Sequence, residues 1–354
     1  MKKKYLLPLL LPVQIVVVKA FAFFPEIVEK YYSNGLYPLT SLVERALFGR
    51  IPFSFGDIVY GIVASFAIRW FWKTRKTWKL QWKTNLRKIT AVLSVVYLFF
   101  HVAWAMNYYR VRLPQKLHIE TDYDRDELVA FTSRLIEKTN GLQLDIAQNP
   151  DSIIRVPYSR NVIYEKSIAG YSELQKEYPG FALHNPSIKN SLISLPLSYM
   201  GFSGYLNPFT NEAQVNSLGP LYSFAGTSCH EMAHQIGYAS ESEANFVGYL
   251  AAIHSKDNYI RYSGYTMALK YCLRSLSAYD KDKADEMLKR INPGIRANFK
   301  ESKDFWEKYE SFLEIGFKFF YDNFLKMNQQ DEGLESYNRF VDLLVNYYDG
   351  HELK

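Results

Sequence analysis

Cysteine is scarce in this chain of 354 residues, which contains only Cys229 and Cys272. Two cysteines supply neither a disulfide framework nor a CxxC or four-cysteine metal site. The sequence also has no internal repeat and no low-complexity linker. With 48% hydrophobic and 22% charged residues, the chain is too apolar to remain disordered. We therefore expect a folded protein, long enough for two domains.

Acidic residues are almost missing from the first part of the chain. Residues 1–109 contain 15 Lys and Arg but 4 Asp and Glu, whereas residues 110–354 contain 27 and 32. The basic residues stand around apolar runs, and the larger part of the chain is mildly acidic. A lipid bilayer therefore fits as a partner, and nucleic acid does not.

Long apolar runs are confined to that basic part, which we predict to be a membrane region over residues 1–109. Its three apolar stretches, at about 5–24, 53–72 and 89–106, are each about long enough to cross the hydrocarbon core as a helix. The first stretch also fits a cleavable signal peptide, because a basic start and an apolar run precede Ala-Phe-Ala at 20–22. Its retention or cleavage stays open.

The orientation of these spans follows from the basic connector between the second and third stretches. Seven Lys and Arg crowd residues 73–88, and such short basic loops stay on the cytoplasmic side. Residues 110–354 are then expected on the outer side of the inner membrane. Trp104, Tyr108 and Tyr109 are expected at the outer interface, where amphipathic rings are favoured.

Residues 110–354 have no apolar run long enough to span a membrane and are expected to form a soluble domain. Helical periodicity predicts helices at about 124–138, 297–324 and 336–348. Between 185 and 218, alternating apolar residues broken by glycine and proline predict strands joined by tight turns. The expected fold class is α+β, mainly α.

One motif points to chemistry: His230, Glu231 and His234 form the pattern HExxH. On a helix, histidines four positions apart share one face and can bind one zinc ion. Glu231 lies beside that face and suits the general base that takes a proton from the attacking water. The motif predicts one Zn²⁺ per chain.

A catalytic zinc site needs a third protein ligand. Gly237 can adopt a positive φ and end the motif helix, so that the chain turns back toward the metal. Glu241 is the favoured third ligand because Asn245, one turn later, can hold a ligating histidine by its other nitrogen. Glu243 lacks such a polar neighbour and remains the alternative.

The order HExxH followed by Glu-x-x-Ala-Asn at 241–245 resembles the gluzincin zinc metallopeptidases. The chain departs from them in having Asn245 in place of Asp and in having Glu241 only seven residues after His234. This short interval is closer to the metzincin arrangement HExxHxxGxxH, but Ser240 takes the place of the third histidine.

Longer segments resemble an uncharacterised family of bacterial membrane proteins with predicted metallopeptidase domains. They are WAMNYYR at 104–110, GYLNPFTNEAQVN at 204–216, HEMAHQIGYASESEANF at 230–246 and RYSGY at 261–265. The resemblance implies N-terminal transmembrane helices followed by a zincin-like metallopeptidase domain outside the cytoplasmic membrane. It implies no particular substrate.

Three further residues are weaker candidates. Glu212 precedes the motif on a strand-like segment, where it would contact substrate or the attacking water, or serve as a turn carboxylate. Tyr262 and Tyr265 would donate a hydrogen bond to the transition state, or simply pack among the chain's 28 tyrosines.

These patterns together predict a multi-pass, membrane-anchored zinc peptidase of the bacterial inner membrane that acts on a peptide or protein. The alternative is a non-catalytic zincin-like sensor or scaffold of the cell envelope. A small-molecule transporter is a third class, but three spans are few for it. Substrate, cleavage preference, regulation and oligomeric state stay open.

Overall fold

The computed structural model describes residues 3–330 and 339–354 and contains mostly helices with one small sheet. This confirms the predicted α+β, mainly α, fold class. The helices before residue 120 are α1 (Leu6–Ala20), α2 (Pro25–Ile27), α3 (Tyr37–Phe48), α4 (Phe55–Thr74), α5 (Trp82–Ala103) and α6 (Leu113–Leu117). The later helices are α7 (Arg125–Ala147), α8 (Arg160–Glu177), α9 (Ser194–Met200), α10 (Leu221–Gln235), α11 (Glu241–His254), α12 (Asn258–Tyr279), α13 (Lys281–Lys289), α14 (Pro293–Tyr309), α15 (Phe312–Met327) and α16 (Arg339–Tyr347). A π-helical segment, Val28–Leu36, joins α2 to α3.

Within the described ranges, two helical segments are long and apolar enough to cross a membrane, Leu6–Phe23 and Trp82–Ala103. Only 6% and 17% of their most apolar windows are buried inside the protein, unlike a core helix. The stretch predicted at 53–72 does form a helix, α4, but it is not one of these two. The candidate membrane helices α1 and α5 pack side by side, and Ser94 Oγ donates to Gln14 Oε1 at 3.2 Å.

The aromatic residues expected at an outer interface lie instead inside the protein. Trp104, Tyr108 and Tyr109 are 7%, 4% and 3% exposed. After α5 the chain turns through a short 3₁₀ helix, Ala105–Tyr109, and this turn directs the rings into a cluster with Tyr32 and other apolar residues. The prediction that these three rings contact the lipid–water interface is therefore wrong, because each ring is buried inside the protein.

The helices of the larger part differ from their predicted bounds where burial outweighs local signals. The helix α7 begins close to its predicted start, with Asp124 as its cap, but it continues through Asn140-Gly141 to Ala147 because Leu142 and Gln143 are buried. The region predicted as one helix at 297–324 is divided into α14 and α15, and Ser311 caps the second. Residues 336–338 of the last predicted helix lie outside the described residues, and α16 covers Arg339–Tyr347.

The sheet lies within 185–218, where strands are predicted. Its strands are β1 (Ile188–Asn190), β2 (Gly204–Asn207) and β3 (Glu212–Val215), in the order β1-β3-β2. β3 pairs in parallel with β1 and antiparallel with β2, where Gly204 is opposite Val215. The helix α10 packs on β2 and β3, and α8, α11 and α12 pack against α10 to form the main core.

The start of α4 is attached to the sheet region by buried polar contacts. Asp57 accepts hydrogen bonds from Ser191 Oγ at 2.9 Å, from the Leu192 N–H at 2.8 Å and from the Tyr205 hydroxyl. The first turn of α4 is therefore fixed to the larger part of the chain.

Candidate metal centre

The HExxH residues lie in the last two turns of α10, as the spacing predicts. The helix stops because Gly237 adopts a φ of 88°, a conformation that favours glycine. The Tyr238 N–H then bonds to the Ala233 carbonyl at 3.2 Å, and α11 begins at Glu241. This turn brings the start of α11 back to the motif.

Three ligand-type side chains converge at this turn. The Nε2 atoms of His230 and His234 are 3.1 Å apart. Glu241 Oε2 lies 3.3 Å from His230 Nε2, and its Oε1 lies 3.8 Å from His234 Nε2. All three side chains are largely buried, with 13%, 6% and 6% exposure. The arrangement offers two imidazole nitrogens and one carboxylate to a common point.

The close approach of α10 and α11 depends on Gly248. A Cβ atom at this position would lie 2.7 Å from the backbone nitrogen of His230 and 2.9 Å from its Cα. Only glycine therefore permits this contact between the helices without a backbone shift. The hydroxyl of Tyr171 on α8 also donates to the Cys229 carbonyl at 2.6 Å and supports the same turn of α10.

Hydrogen bonds hold both the ring and the backbone carbonyl of His234. Its Nδ1 lies 2.7 Å from the Tyr238 carbonyl, which can only accept, so the proton is assigned to Nδ1 and the Nε2 lone pair faces His230 and Glu241. The His234 carbonyl accepts from the Trp104 indole N–H at 3.2 Å and from the Tyr37 hydroxyl at 3.3 Å. Residues before and after α5 thus hold the end of the motif helix.

Glu231 is 3% exposed, and its Oε2 has no hydrogen-bond partner among the residues that the structure describes. Burial raises the pKa of this carboxyl to about 8, although the nearby His230 opposes the shift. Its Oε1 occupies space beside Gly204 of β2, where a Cβ atom would lie only 2.6 Å away. The general-base candidate therefore lies between the motif helix and an edge strand of the sheet.

The electrostatics of the cluster favour a charged carboxylate. Burial would raise the pKa of Glu241, but the hydrogen bond with His230 and the neighbouring histidines lower it to about 2. Burial lowers the pKa of His234 to about 4, so this ring stays neutral near pH 7. Burial also acts to lower the pKa of His230, but Glu241 and Glu231 raise it above its usual value.

The two other candidates on α11, Glu243 and Asn245, have different surroundings. Glu243 points away from the histidines and accepts the Leu113 N–H at 2.8 Å. Asn245 is 4% exposed, and its side chain contributes to the raised pKa of His230. The structure thus brings Glu241 to the histidines, keeps Asn245 beside His230 and gives Glu243 a backbone partner.

The remaining sequence candidates lie outside the cluster. The Tyr262 hydroxyl donates to Asn298 Oδ1 at 2.9 Å, and the Tyr265 hydroxyl donates to the Lys354 carbonyl. Glu212 accepts the N–H groups of Phe55 and Gly56 at 3.2 and 2.6 Å and pairs with Lys189. The sequence left Glu212 either near substrate or as a turn carboxylate, and the structure shows its carboxylate capping the start of α4.

Sequence reasoning missed a fourth polar side chain at the centre. The Tyr321 hydroxyl, on α15, donates to Glu241 Oε1 across 80 positions of sequence. Nothing local distinguishes Tyr321 from the other tyrosines. Gly204 and Gly248 carry a weak signal, because a glycine inside a strand or helix often marks a close approach.

Comparisons with known proteins add one assignment. No curated protein and no solved structure matches the chain. A family model described as a protein of unknown function (DUF3810) matches residues 32–345, which include the metal-centre residues, α4 and α5. The chain therefore belongs to this family of unknown function.

Proposed function

We propose that the chain is a membrane-anchored, zinc-dependent peptidase of the bacterial inner membrane, with a zincin-like catalytic domain in residues 110–354. The observation that carries the proposal is the convergence of His230, His234 and Glu241, with 3.1 to 3.8 Å between their ligand atoms. Glu231 lies next to this group on the same helix. Two histidines, one carboxylate and an adjacent general base are the components of a hydrolytic zinc site.

The buried polar atoms fit a resident cation. The Nδ1 proton of His234 is held by the Tyr238 carbonyl, which directs the other nitrogen's lone pair into the cluster. Glu241 is held ionised by its neighbours, and a buried carboxylate needs compensating charge. Zinc at His230, His234 and Glu241 would polarise the scissile carbonyl and acidify water.

The residues around the cluster would transfer the proton and line the site. Glu231 would accept the proton of the attacking water and pass it to the leaving amine, because its buried Oε2 has no hydrogen-bond partner in the described part of the chain and a cation beside it would favour its ionised form. β2 is an edge strand in the order β1-β3-β2, and its Gly204 lies against Glu231.

Contacts at the helix ends support a three-span anchor with the site on the outer side. The end of α1 contacts α15 through Lys19 and Met327, the start of α4 contacts the sheet through Asp57, and Trp104 after α5 contacts His234. At the other end, Arg87 lies 5.7 Å from the ring centroid of Tyr5. The basic connector and the start of α1 thus share one side, and the candidate site occupies the other.

The test is to measure zinc content and peptide hydrolysis on the full chain in detergent. Wild type is expected to hold one zinc per chain, and His230→Ala and His234→Ala are expected to lose it. Glu231→Gln should keep zinc and lose activity by about 10²- to 10⁴-fold, because an amide cannot accept the proton. Glu241→Ala should lower both zinc affinity and activity.

Glu243→Ala is the matched control, since Glu243 lies on the same helix but bonds to Leu113. It should keep zinc. Metal content unchanged in both histidine variants would overturn the metal site. Zinc-bound wild type and Glu231→Gln that are equally inert on a peptide library would instead favour the sensor or scaffold.

Reporter fusions test the orientation separately from the chemistry. A reporter fused after Lys83 should lie in the cytoplasm, and one fused after Arg110 should lie outside. The reverse pattern would overturn the proposed topology and leave the zinc measurements unaffected.

A further inference from the structure

Helix α15 exposes a row of large apolar side chains. Phe312, Ile315, Phe319 and Phe320 are 81%, 73%, 74% and 64% exposed, and Met327 is 67% exposed. Such a contiguous apolar surface marks a contact with a partner or a membrane. The apolar row is therefore expected to contact another protein or a membrane.

The charged residues of α15 keep to one flank of the helix. Glu314, Lys318, Asp322 and Lys326 follow one another at intervals of four residues, with ion pairs Lys318–Glu314 and Lys326–Asp322 at 2.5 and 2.8 Å. At about 100° per residue, the line starts with Glu314 and Lys318, about 100° and 60° around the helix from Ile315, and reaches the edge of the apolar row only toward the end of the helix. A helix with one apolar face and one charged flank suits the boundary between lipid and water.

The inward face of α15 attaches it to the ends of the candidate membrane helices. The ring of Phe324 lies 6.1 Å from Phe100 in α5 and 6.2 Å from Tyr108. Lys19, in the last turn of α1, donates to the Met327 carbonyl. In the last two turns of α5, Phe99 and Val102 are 50% and 42% exposed. The C-terminal end of α15 is thus next to the apolar surface that α1 and α5 present, and the apolar row extends from this end along the helix.

The length of α15 excludes a further span. Its 16 residues extend about 24 Å, and a spanning helix needs about 20 predominantly apolar residues. Four charged residues along one flank also oppose burial across the bilayer. A position parallel to the membrane surface satisfies both the apolar row and the charged flank.

We propose that α15 is an interfacial helix that binds the outer leaflet of the lipid bilayer through Phe312, Ile315, Phe319 and Phe320. The proposal rests on the membrane anchoring proposed above and names the surface on which the metal centre lies. Tyr321, on the opposite face, donates to Glu241, so the lipid-bound helix is also the helix that contacts the candidate third ligand. The centre then lies at the height of the lipid head groups, and its substrates are polypeptide segments at the bilayer surface.

Spin labelling of the full chain in phosphatidylcholine–phosphatidylglycerol vesicles tests this position. Both native cysteines are fully buried at 0% exposure, so single added cysteines can be labelled selectively, with unsubstituted protein as the blank. Nitroxides at Ile315→Cys and Phe319→Cys are expected to be accessible to oxygen and shielded from a water-soluble nickel complex. Their oxygen-to-nickel accessibility ratio should be about tenfold above that of the controls.

Two control positions are also exposed in the structure but are not proposed to contact lipid. Lys318→Cys lies on the charged flank of the same helix, and Tyr279→Cys replaces an aromatic ring that is 67% exposed at the end of α12. Both labels should be open to the nickel complex. Circular dichroism of each variant checks that the substitutions at exposed positions leave the fold intact.

The outcomes separate the possible occupants. Labels at Ile315 and Phe319 that are as open to nickel as the label at Tyr279 would overturn the proposal. Spin–spin broadening at these positions that disappears on dilution with unlabelled protein would assign the row to a second copy of the chain and overturn it as well. The accessibility ratio does not depend on zinc or turnover, so an inactive wild type would leave this result standing.

Discussion

The carboxylate of Glu212, on β3, accepts the backbone N–H of Gly56 in the first turn of α4 at 2.6 Å. The two residues are 156 positions apart in the sequence. Glu212 also pairs with the buried Lys189, which donates to the Phe48 carbonyl as well. One fully buried carboxylate thus joins the sheet, a lysine and the beginning of a long apolar helix.

Replacing this carboxylate should destabilise the protein strongly. Glu212→Gln leaves Lys189 as a buried charge without its anionic partner, which typically costs about 3 to 5 kcal/mol. Chemical unfolding in detergent measures the loss. Asp304→Asn, which removes one member of a largely exposed ion pair with Lys300, is the control and should change stability by about 0.5 kcal/mol or less. Equal effects of the two substitutions would contradict the role given to Glu212.

Gly204→Ala should impair hydrolysis while leaving zinc in place. The added Cβ would lie 2.6 Å from Glu231 Oε1 and 2.9 Å from the Gln214 carbonyl, so Glu231 must move. We expect a fall in kcat of about 10²-fold or more, since general-base catalysis depends on position. A Cβ added at Gly141 in α7 would meet no atom of the described residues within 4 Å, so Gly141→Ala should leave kcat unchanged. Normal activity of Gly204→Ala would show that Glu231 does not depend on the absence of a side chain at position 204.

Glu29 should make stability depend on pH in the acidic range. Burial acts to raise the pKa of Glu29, but Arg110 and Lys116 lower it to about 2 from an ordinary value of 4.5. Because the folded pKa is the lower one, this stabilisation is present above about pH 4.5 and is lost as the pH falls toward 2. Thermal unfolding in detergent between pH 2 and 6 measures the effect.

The variant Glu29→Gln should remove that pH dependence and lower stability at pH 7 by about 2 to 3 kcal/mol. Glu286→Gln removes an exposed carboxylate paired with Lys283 and serves as the control, with an unchanged profile. Retention of the wild-type pH profile by Glu29→Gln would assign the acid sensitivity to other carboxylates.

Tyr321→Phe should weaken zinc binding without removing it. The substitution deletes the hydrogen bond to Glu241 Oε1, and losing such a support of a metal ligand typically lowers affinity by about 10- to 100-fold. Competition with a chelator measures the change. Tyr199→Phe, at a partly exposed tyrosine of the neighbouring α9, should bind zinc as wild type does. An unchanged zinc affinity of Tyr321→Phe would show that Glu241 does not need this hydrogen bond to bind zinc.

The sequence predicted the parts of the site that depend on local spacing. Two histidines four positions apart, a glycine after them and a helix starting at Glu241 are all encoded within 15 residues, and the fold has them in that form. Tyr321 and Gly204 could not be assigned, because their roles arise from packing between distant segments. The same reason explains the wrong expectation for Trp104, whose indole bonds to His234 inside the protein instead of facing the lipid head groups.

The hydrogen bonds from the first 110 residues to the motif helix also affect the order in which the protein can be made. Tyr37 and Arg45 bond to the Gln235 carbonyl across 198 and 190 positions, and Trp104 bonds to His234 across 130. During synthesis the early helices leave the ribosome before these acceptors do. Closing such long loops is slow, so the candidate metal centre is completed late, after the helices on which it is built. A fragment that starts at residue 110 would lack these donors, which makes the early helices an internal template for the residues that follow them.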